Sequence, residues 1–268
     1  MLSPLYGQLS PLRIPTKIRA VQDSDALAYI ASVESADAQT LEDGVKFAFE
    51  DFIVGCKSDG MWSAIKASCI LAGARTLSGA LVPLAGATPT NYNFVSGDYS
   101  RQTGLKGDGS TKWLDSARNN NADPQDSKHL AAWVTLNPTS SANVFGVIGV
   151  SATTGSSHLA HNSNSKTVRL NQSSSTNAAG GNALGFFGAS RNNSSQITTR
   201  ANGASTNYSV VSATPTSRNL AVFAYRISAS GATHTNGRLS FYSIGQSLDL
   251  ATLNTRVSNL MTALAAAI

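Results

Sequence analysis

The stretch Gly104–Val134, GLKGDGSTKWLDSARNNNADPQDSKHLAAWV, decides how the rest of the chain is read. Three glycines stand beside Lys106, Ser110, Thr111 and Lys112, a composition that suggests a phosphate-binding loop. Such a loop needs lysine directly after its last glycine and then serine or threonine, so that backbone N–H groups and the ammonium surround the phosphates. Here Ser110 and Thr111 take those positions, and Asp108 would set a carboxylate against the phosphates. The segment leading in, Tyr99 to Thr103, is polar, and Lys112 to Ser116 alternates like a strand instead of opening a helix. The nucleotide reading fails. The same residues describe a turn feeding a strand, with Gly107 and Gly109 supplying positive φ and Asp108 bonding the local backbone. Trp113 and Trp133 then mark two strands that begin a β-sandwich.

Outward from this point the apolar pattern keeps a period near two. Strands are expected at His129–Leu136, Asn143–Val150, Thr167–Leu170, Leu184–Gly188, Tyr208–Val211, Leu220–Ile227 and Arg238–Ile244. Between residues 151 and 218, serine, threonine and asparagine fill nearly half the positions, and recurring Val, Leu, Phe and Tyr assign that region to polar strands and loops of the same sandwich. Toward the N-terminus the period lengthens. Asp23 or Ser24 caps a helix carrying Leu27, Ile30 and Val33, and Thr40–Asp43 resembles a capping box before Leu41, Val45, Phe49, Phe52 and Ile53. Met61, Trp62, Ile65 and Ile70 predict a further helical stretch ending near Gly73. The chain closes in a helix from Leu248 to about Ala266, with Asp249 as its N-cap.

The expected organisation is an extended arm (1–22), a helical attachment or oligomerisation module (23–75), a linker (76–99), a jelly-roll β-sandwich (100–247) and a C-terminal helix (248–268). Pro4, Pro11 and Pro15 forbid a regular helix in the arm. Its apolar residues Leu5, Leu12, Ile14 and Ile18, with Leu41, Val45 and Phe49 of the helical module, are the expected partner-binding surface.

Charge divides the chain. Residues 21–60 carry a net charge of −7 and residues 61–268 a net of +9, which suggests parts that complement each other in an assembly. The basic residues are spread thinly without interleaved aromatics, so nucleic acid is not an expected partner. The N-terminus lacks the apolar core of a signal peptide, and the most apolar window is broken by Arg75 and Pro83. A chain made in soluble form, with no membrane partner, is expected. Cys56 and Cys69 make neither a disulfide framework nor a zinc motif and read as half-buried thiols in a helical region.

The turn GDGS, the aromatic strand after it and Leu130-Ala-Ala-Trp-Val134 resemble the first strands of laminin-G-like, concanavalin-type jelly rolls. Arg218–Arg226 is similar to the central strand of that fold, and Ser243–Asp249 to its closing strand before a short helix. The acidic helical segment from Val33 to Phe94, running into the GDGS turn, resembles a module of structural proteins of tailed bacteriophages, as does the closing segment Ser243–Leu264. The resemblance implies a non-enzymatic virion protein of tail, baseplate, fibre or capsid decoration, a homo-oligomer (a trimer) among other virion proteins. A host-surface polysaccharide adhesin is the alternative.

Candidate chemistry is sparse. The β region with its flanks holds six aspartates (Asp98, Asp108, Asp115, Asp123, Asp126 and Asp249) and no glutamate, whereas concanavalin-type hydrolases carry glutamate on their concave strands, which argues against glycan hydrolysis. No Gly-x-Ser-x-Gly elbow occurs. His158 and His161 are expected as solvated loop residues and His129 as a strand-edge residue. Asp108, Asp123 and Asp126 are expected to form turns instead of a calcium site. No catalytic residue, metal or cofactor is expected. Weak ligand-binding candidates are Phe186, Phe187 and Tyr208; Phe186 and Phe187 point to opposite faces of one strand, so only one is expected in a core.

Overall fold

The structure, a computed structural model, describes residues 19–138, 145–152, 154–161, 166–178, 184–226 and 232–268. The arm residues Leu5, Leu12, Ile14 and Ile18 lie outside the described residues. The helices are α1 (Ser24–Asp37), α2 (Asp43–Ser58), the short α3 (Leu77–Ala80) and α4 (Leu250–Ala267). The first strands are β1 (Ile65–Ile70), β2 (Thr90–Tyr92), β3 (Tyr99–Ser100), β4 (Gly104–Lys106), β5 (Trp113–Asn119) and β6 (Lys128–Leu136). There follow β7 (Phe145–Val150), β8 (Ser156–His161), β9 (Lys166–Gln172), β10 (Thr176–Ala178), β11 (Gly185–Arg191) and β12 (Gln196–Ala201). The last are β13 (Ala204–Ser209), β14 (Asn219–Val222), β15 (Ala224–Arg226), β16 (Ala232–His234) and β17 (Arg238–Gly245).

These strands make two sheets packed as a jelly-roll sandwich. The first runs β13-β12-β11-β6-β17-β4-β3, with β1 also paired to β17; the second runs β10-β9-β8-β7-β14-β5-β2, with β15 and β16 attached through β7. Pairing is antiparallel except between β15 and β7.

The first sheet is the middle of three layers, because both of its faces are covered. Leu130, Ala132, Phe187, Tyr242 and Ile244 face the second sheet, while the intervening Ala131, Phe186 and Phe241 face α1, α2 and α4. Phe186 and Phe187 are therefore both interior, 4% and 0% exposed, which corrects the expectation that one alone is core. A strand buried on both faces loses the polar alternation that marks a half-solvated strand. That is why Ile65–Ile70 reads as helix in the sequence and is instead β1, with Cys69 and Ile70 pairing Tyr242 and Phe241.

The helical residues are structural parts of this sandwich. Leu41, Val45 and Phe49, expected at a partner surface, are 4%, 0% and 0% exposed and fill the core beneath the helices. Of the expected linker, residues 90–92 form β2 and pair with β5. The acidic segment and the basic body complement each other within one chain: Glu42 pairs with Arg75 and Arg101, and Asp59 with Arg256. The Asp37 carboxylate accepts from the backbone N–H groups of Arg75 and Thr76.

Asp23 and Asp249 cap α1 and α4 as expected, but the box predicted at Thr40 does not form, and α2 starts after Glu42 without a side-chain cap. Cys56 and Cys69 are free and fully buried, one on α2 and one on β1, and burial pushes both thiols up to about 12. In the GDGS turn the Asp108 carboxylate accepts from the N–H groups of Ser110, Thr111 and Lys112 and from the Thr111 hydroxyl. Gly109 has φ +78, but Gly107 does not use the left-handed region. It is there for space, since a Cβ would lie 2.0 Å from the Thr235 carbonyl oxygen.

Candidate functional site

The outer face of the second sheet, turned away from the sandwich core, carries the arrangement most suited to a ligand. Hydrogen-bonded register places Asp115, Ala221, Gly149, His158 and Arg169 in one row across β5, β14, β7, β8 and β9. Their chain neighbours Leu114, Leu220, Ile148, Leu159 and Leu170 point inward to the core, as the two-residue period of a strand requires. The centre of the row holds only Ala221 and Gly149, and a Cβ on Gly149 would come 2.3 Å from that of His158.

β15 lies over this low centre. Phe223 adopts φ +67, the chain reverses, and β15 returns parallel to β7, where the Ser151 N–H donates to the Arg226 carbonyl at 2.6 Å. Successive side chains of β15 reach opposite ways. Tyr225 stacks on the His158 ring with centroids 5.1 Å apart, and the Arg226 Nη1 lies 3.9 Å from the Asp115 carboxylate.

Arg226 also covers one ring face of Trp113, at 5.1 Å. Trp113 is further stacked on Tyr92, its register partner on β2, with centroids 4.2 Å apart and planes 2° apart. Tyr92 is the outer ring of this stack and is 41% exposed. Guanidinium, indole and phenol so form one layered column whose open end is at the edge of the sheet, a geometry that favours contact with the flat face of a ring.

At the other end of the row, Arg169 donates from Nε to the Ser175 hydroxyl at 3.0 Å and from Nη1 to the Ser156 hydroxyl at 3.3 Å. His158, 4% exposed, sits beside it, and its Nδ1 has no hydrogen-bond partner among the described residues. Burial, assisted by the neighbouring Arg169 charge, lowers its pKa to about 3, so the ring is neutral at physiological pH.

The histidines expected in solvated loops are strand residues. His158 and His161 lie three apart on β8 and face opposite sides, so they cannot share a metal ion. His161 is fully buried against Phe187, and its pKa falls to about 3. His129 is on the central strand β6, not an edge, and its ring nitrogens meet the Gln246 carbonyl and the Ser243 hydroxyl. Asp123 pairs with Arg118 and with the buried Lys128. Among the described residues no three His, Cys, Asp or Glu side chains are placed to hold a metal ion, and no helix is long and apolar enough to cross a membrane.

Of the weak ligand candidates, Phe186 and Phe187 present no ring to the surface. Tyr208 is on the edge strand β13 of the other sheet, partly packed on the core. None of them joins the Tyr92–Trp113 column. A separate cleft of about 370 Å3 at the start of α4 is lined by Ser190, Asn192, Thr198 and Asp249, whose carboxylate is engaged in capping.

No protein-family model matches the chain, and no curated protein sequence matches it. Among solved structures, the binding domain of botulinum neurotoxin serotype D superposes with TM-score 0.52 at 12% identity, over 76% of this chain and 52% of that one. A mutant Trypanosoma rangeli sialidase displaying trans-sialidase activity gives 0.48 at 12% identity, over 79% of this chain and 38% of that one. The enzymatically active domain of tailspike protein 2 from bacteriophage CBA120 gives 0.40 at 14% identity, over 65% and 29%. The chain thus spans about half, or less, of the length of these solved chains. At such identities the likeness establishes the β-sandwich fold alone.

Proposed function

We propose that this chain is a non-enzymatic virion protein of a tailed bacteriophage whose sandwich displays a saccharide-binding face to the host surface. The carrying observation is the Tyr92–Trp113–Arg226 column, open to solvent at Tyr92, because sugars are gripped by aromatic faces flanked by polar side chains. The sequence resemblance to phage structural modules supports the virion setting, and a neurotoxin binding domain of the same fold supports a binding role. The only glutamates, Glu34, Glu42 and Glu50, all lie in the helical segment, engaged with Lys46, with Arg75 and Arg101, and with Arg19. They are committed to holding the fold.

An array of bacterial capsular polysaccharides tests the binding role. The full chain is expected to give saturable signals, and Trp113→Ala to weaken every one of them by about tenfold or more, as loss of a central aromatic does. No signal from the wild-type chain, or an unchanged signal from the variant, contradicts the reading. In the virion the chain is expected to be a closed homo-oligomer, a trimer held by arm residues Leu5, Leu12, Ile14 and Ile18. Light scattering that gives a monomer at micromolar concentration counts against that assembly.

A further inference from the structure

We propose that the saccharide is acidic, and that its carboxylate is held by Arg169 while its other rings extend toward Trp113 and Tyr92. This rests on the saccharide-binding reading above and adds the chemical class of the ligand.

The argument begins with the charges on the face. Arg226 has a carboxylate beside it, Asp115 at 3.9 Å. Among the described residues Arg169 has none: its partners are the hydroxyls of Ser156 and Ser175, which orient the guanidinium without neutralising it. Its Nη2 makes no hydrogen bond to the described residues. Arginine does not give up its proton under these conditions, so a partly buried and uncompensated cation remains. The ring beside it, His158 with Tyr225 stacked on it, brings no carboxylate to the cation.

A planar carboxylate offers such a fork parallel charge-assisted hydrogen bonds, stronger than those of neutral partners. The distance argues for a polymer. Arg169 and Asp115 are four strand spacings apart, about 19 Å, so one sugar ring cannot touch both Arg169 and the aromatic column. Tyr225 and Arg226 lie between them and continue the surface.

The test uses an array of bacterial capsular polysaccharides, each spotted in native and carboxyl-reduced form, probed with the full chain. Signals are expected on polymers with uronic or other carboxylated sugars and are expected to fall about tenfold on reduction, a comparison that needs no variant. Arg169→Gln should lose the same tenfold on native acidic polymers while keeping its wild-type signal on the reduced ones, and Arg169→Lys should recover little. Trp113→Ala should weaken both forms alike. Signals that survive carboxyl reduction, or that concentrate on phosphorylated polymers, overturn the inference and leave the binding role standing. An Arg169→Gln variant that keeps the native-over-reduced preference overturns it too. Absence of signal on every polymer removes the binding role and this inference with it.

Discussion

Phe52→Ala is expected to destabilise the whole chain by about 3–5 kcal/mol, the usual effect of removing a buried aromatic ring. Phe52 is 2% exposed on α2 and meets Phe241 edge-on, with centroids 5.6 Å apart. Phe241 belongs to β17, which pairs with β1, β4 and β6. The contact thus joins the helical layer to the middle of the first sheet. If the helices were a separate attachment module, the loss would stay with them. In the three-layer arrangement it reaches the sandwich, and urea unfolding followed by far-ultraviolet circular dichroism and by tryptophan fluorescence should give one coincident transition, displaced to lower urea. Helical signal lost ahead of the tryptophan transition would contradict the layered core.

The second large effect is with acid. His129, His158 and His161 are buried and neutral, with pKa values pushed down to about 4, 3 and 3, burial being the main cause each time. Their unfolded values lie near 6.5. Depressed folded values mean that the unfolded chain binds protons first, so stability is full above about pH 6.5 and falls as the pH drops toward 4. A pH of 5 lies about 1.5 units below the unfolded value and above all three folded values, so each histidine costs on the order of 2 kcal/mol there. Three together rival the stability of an ordinary domain. Carboxylates such as Glu42, held at about 2 by Arg101, weaken the fold only at lower pH, so the window from 6.5 to 5 belongs to the histidines. The melting temperature is expected to fall by at least about 10 °C across it. His161→Leu, which removes two buried ring nitrogens without partners among the described residues, should recover about a third of that fall. A melting temperature that is flat from pH 7 to pH 5 would contradict the burial of these rings.

Much of the sandwich can be read from local pattern, because β5, β6, β11 and β17 carry apolar runs bounded by turn residues. The turn at Asp108 and the caps at Asp23 and Asp249 are legible since each depends on one short side chain bonding adjacent backbone. β1 is not, because it is buried on both faces and has no polar period. β8, Ser156–His161, reads as a loop because serine and histidine dominate a strand whose residues are nonetheless all buried. The capping box at Thr40 fails because α2 begins only at Asp43, which leaves Glu42, paired with Arg75 and Arg101, in the N-cap position. The candidate face is less legible still. Tyr92, Trp113 and Arg226 come from three distant segments, and only the sheet order β2-β5-β14, with the reversal at Phe223, sets them side by side. No spacing along the chain encodes that. Trp113 is visible as an aromatic on a strand, but what stacks on it is not.

Hydrogen–deuterium exchange of the full chain, with and without a saturating capsular polysaccharide taken from the array, tests the central claim most directly. Slowed exchange on the outer face of the second sheet, in peptides covering β2, β5 and β14–β15 and extending to β8 and β9 for an acidic polymer held by Arg169, is the result this account predicts. Protection on α1, α2 and α4, or at the cleft by Asp249, with the outer face of the second sheet unchanged, would contradict it.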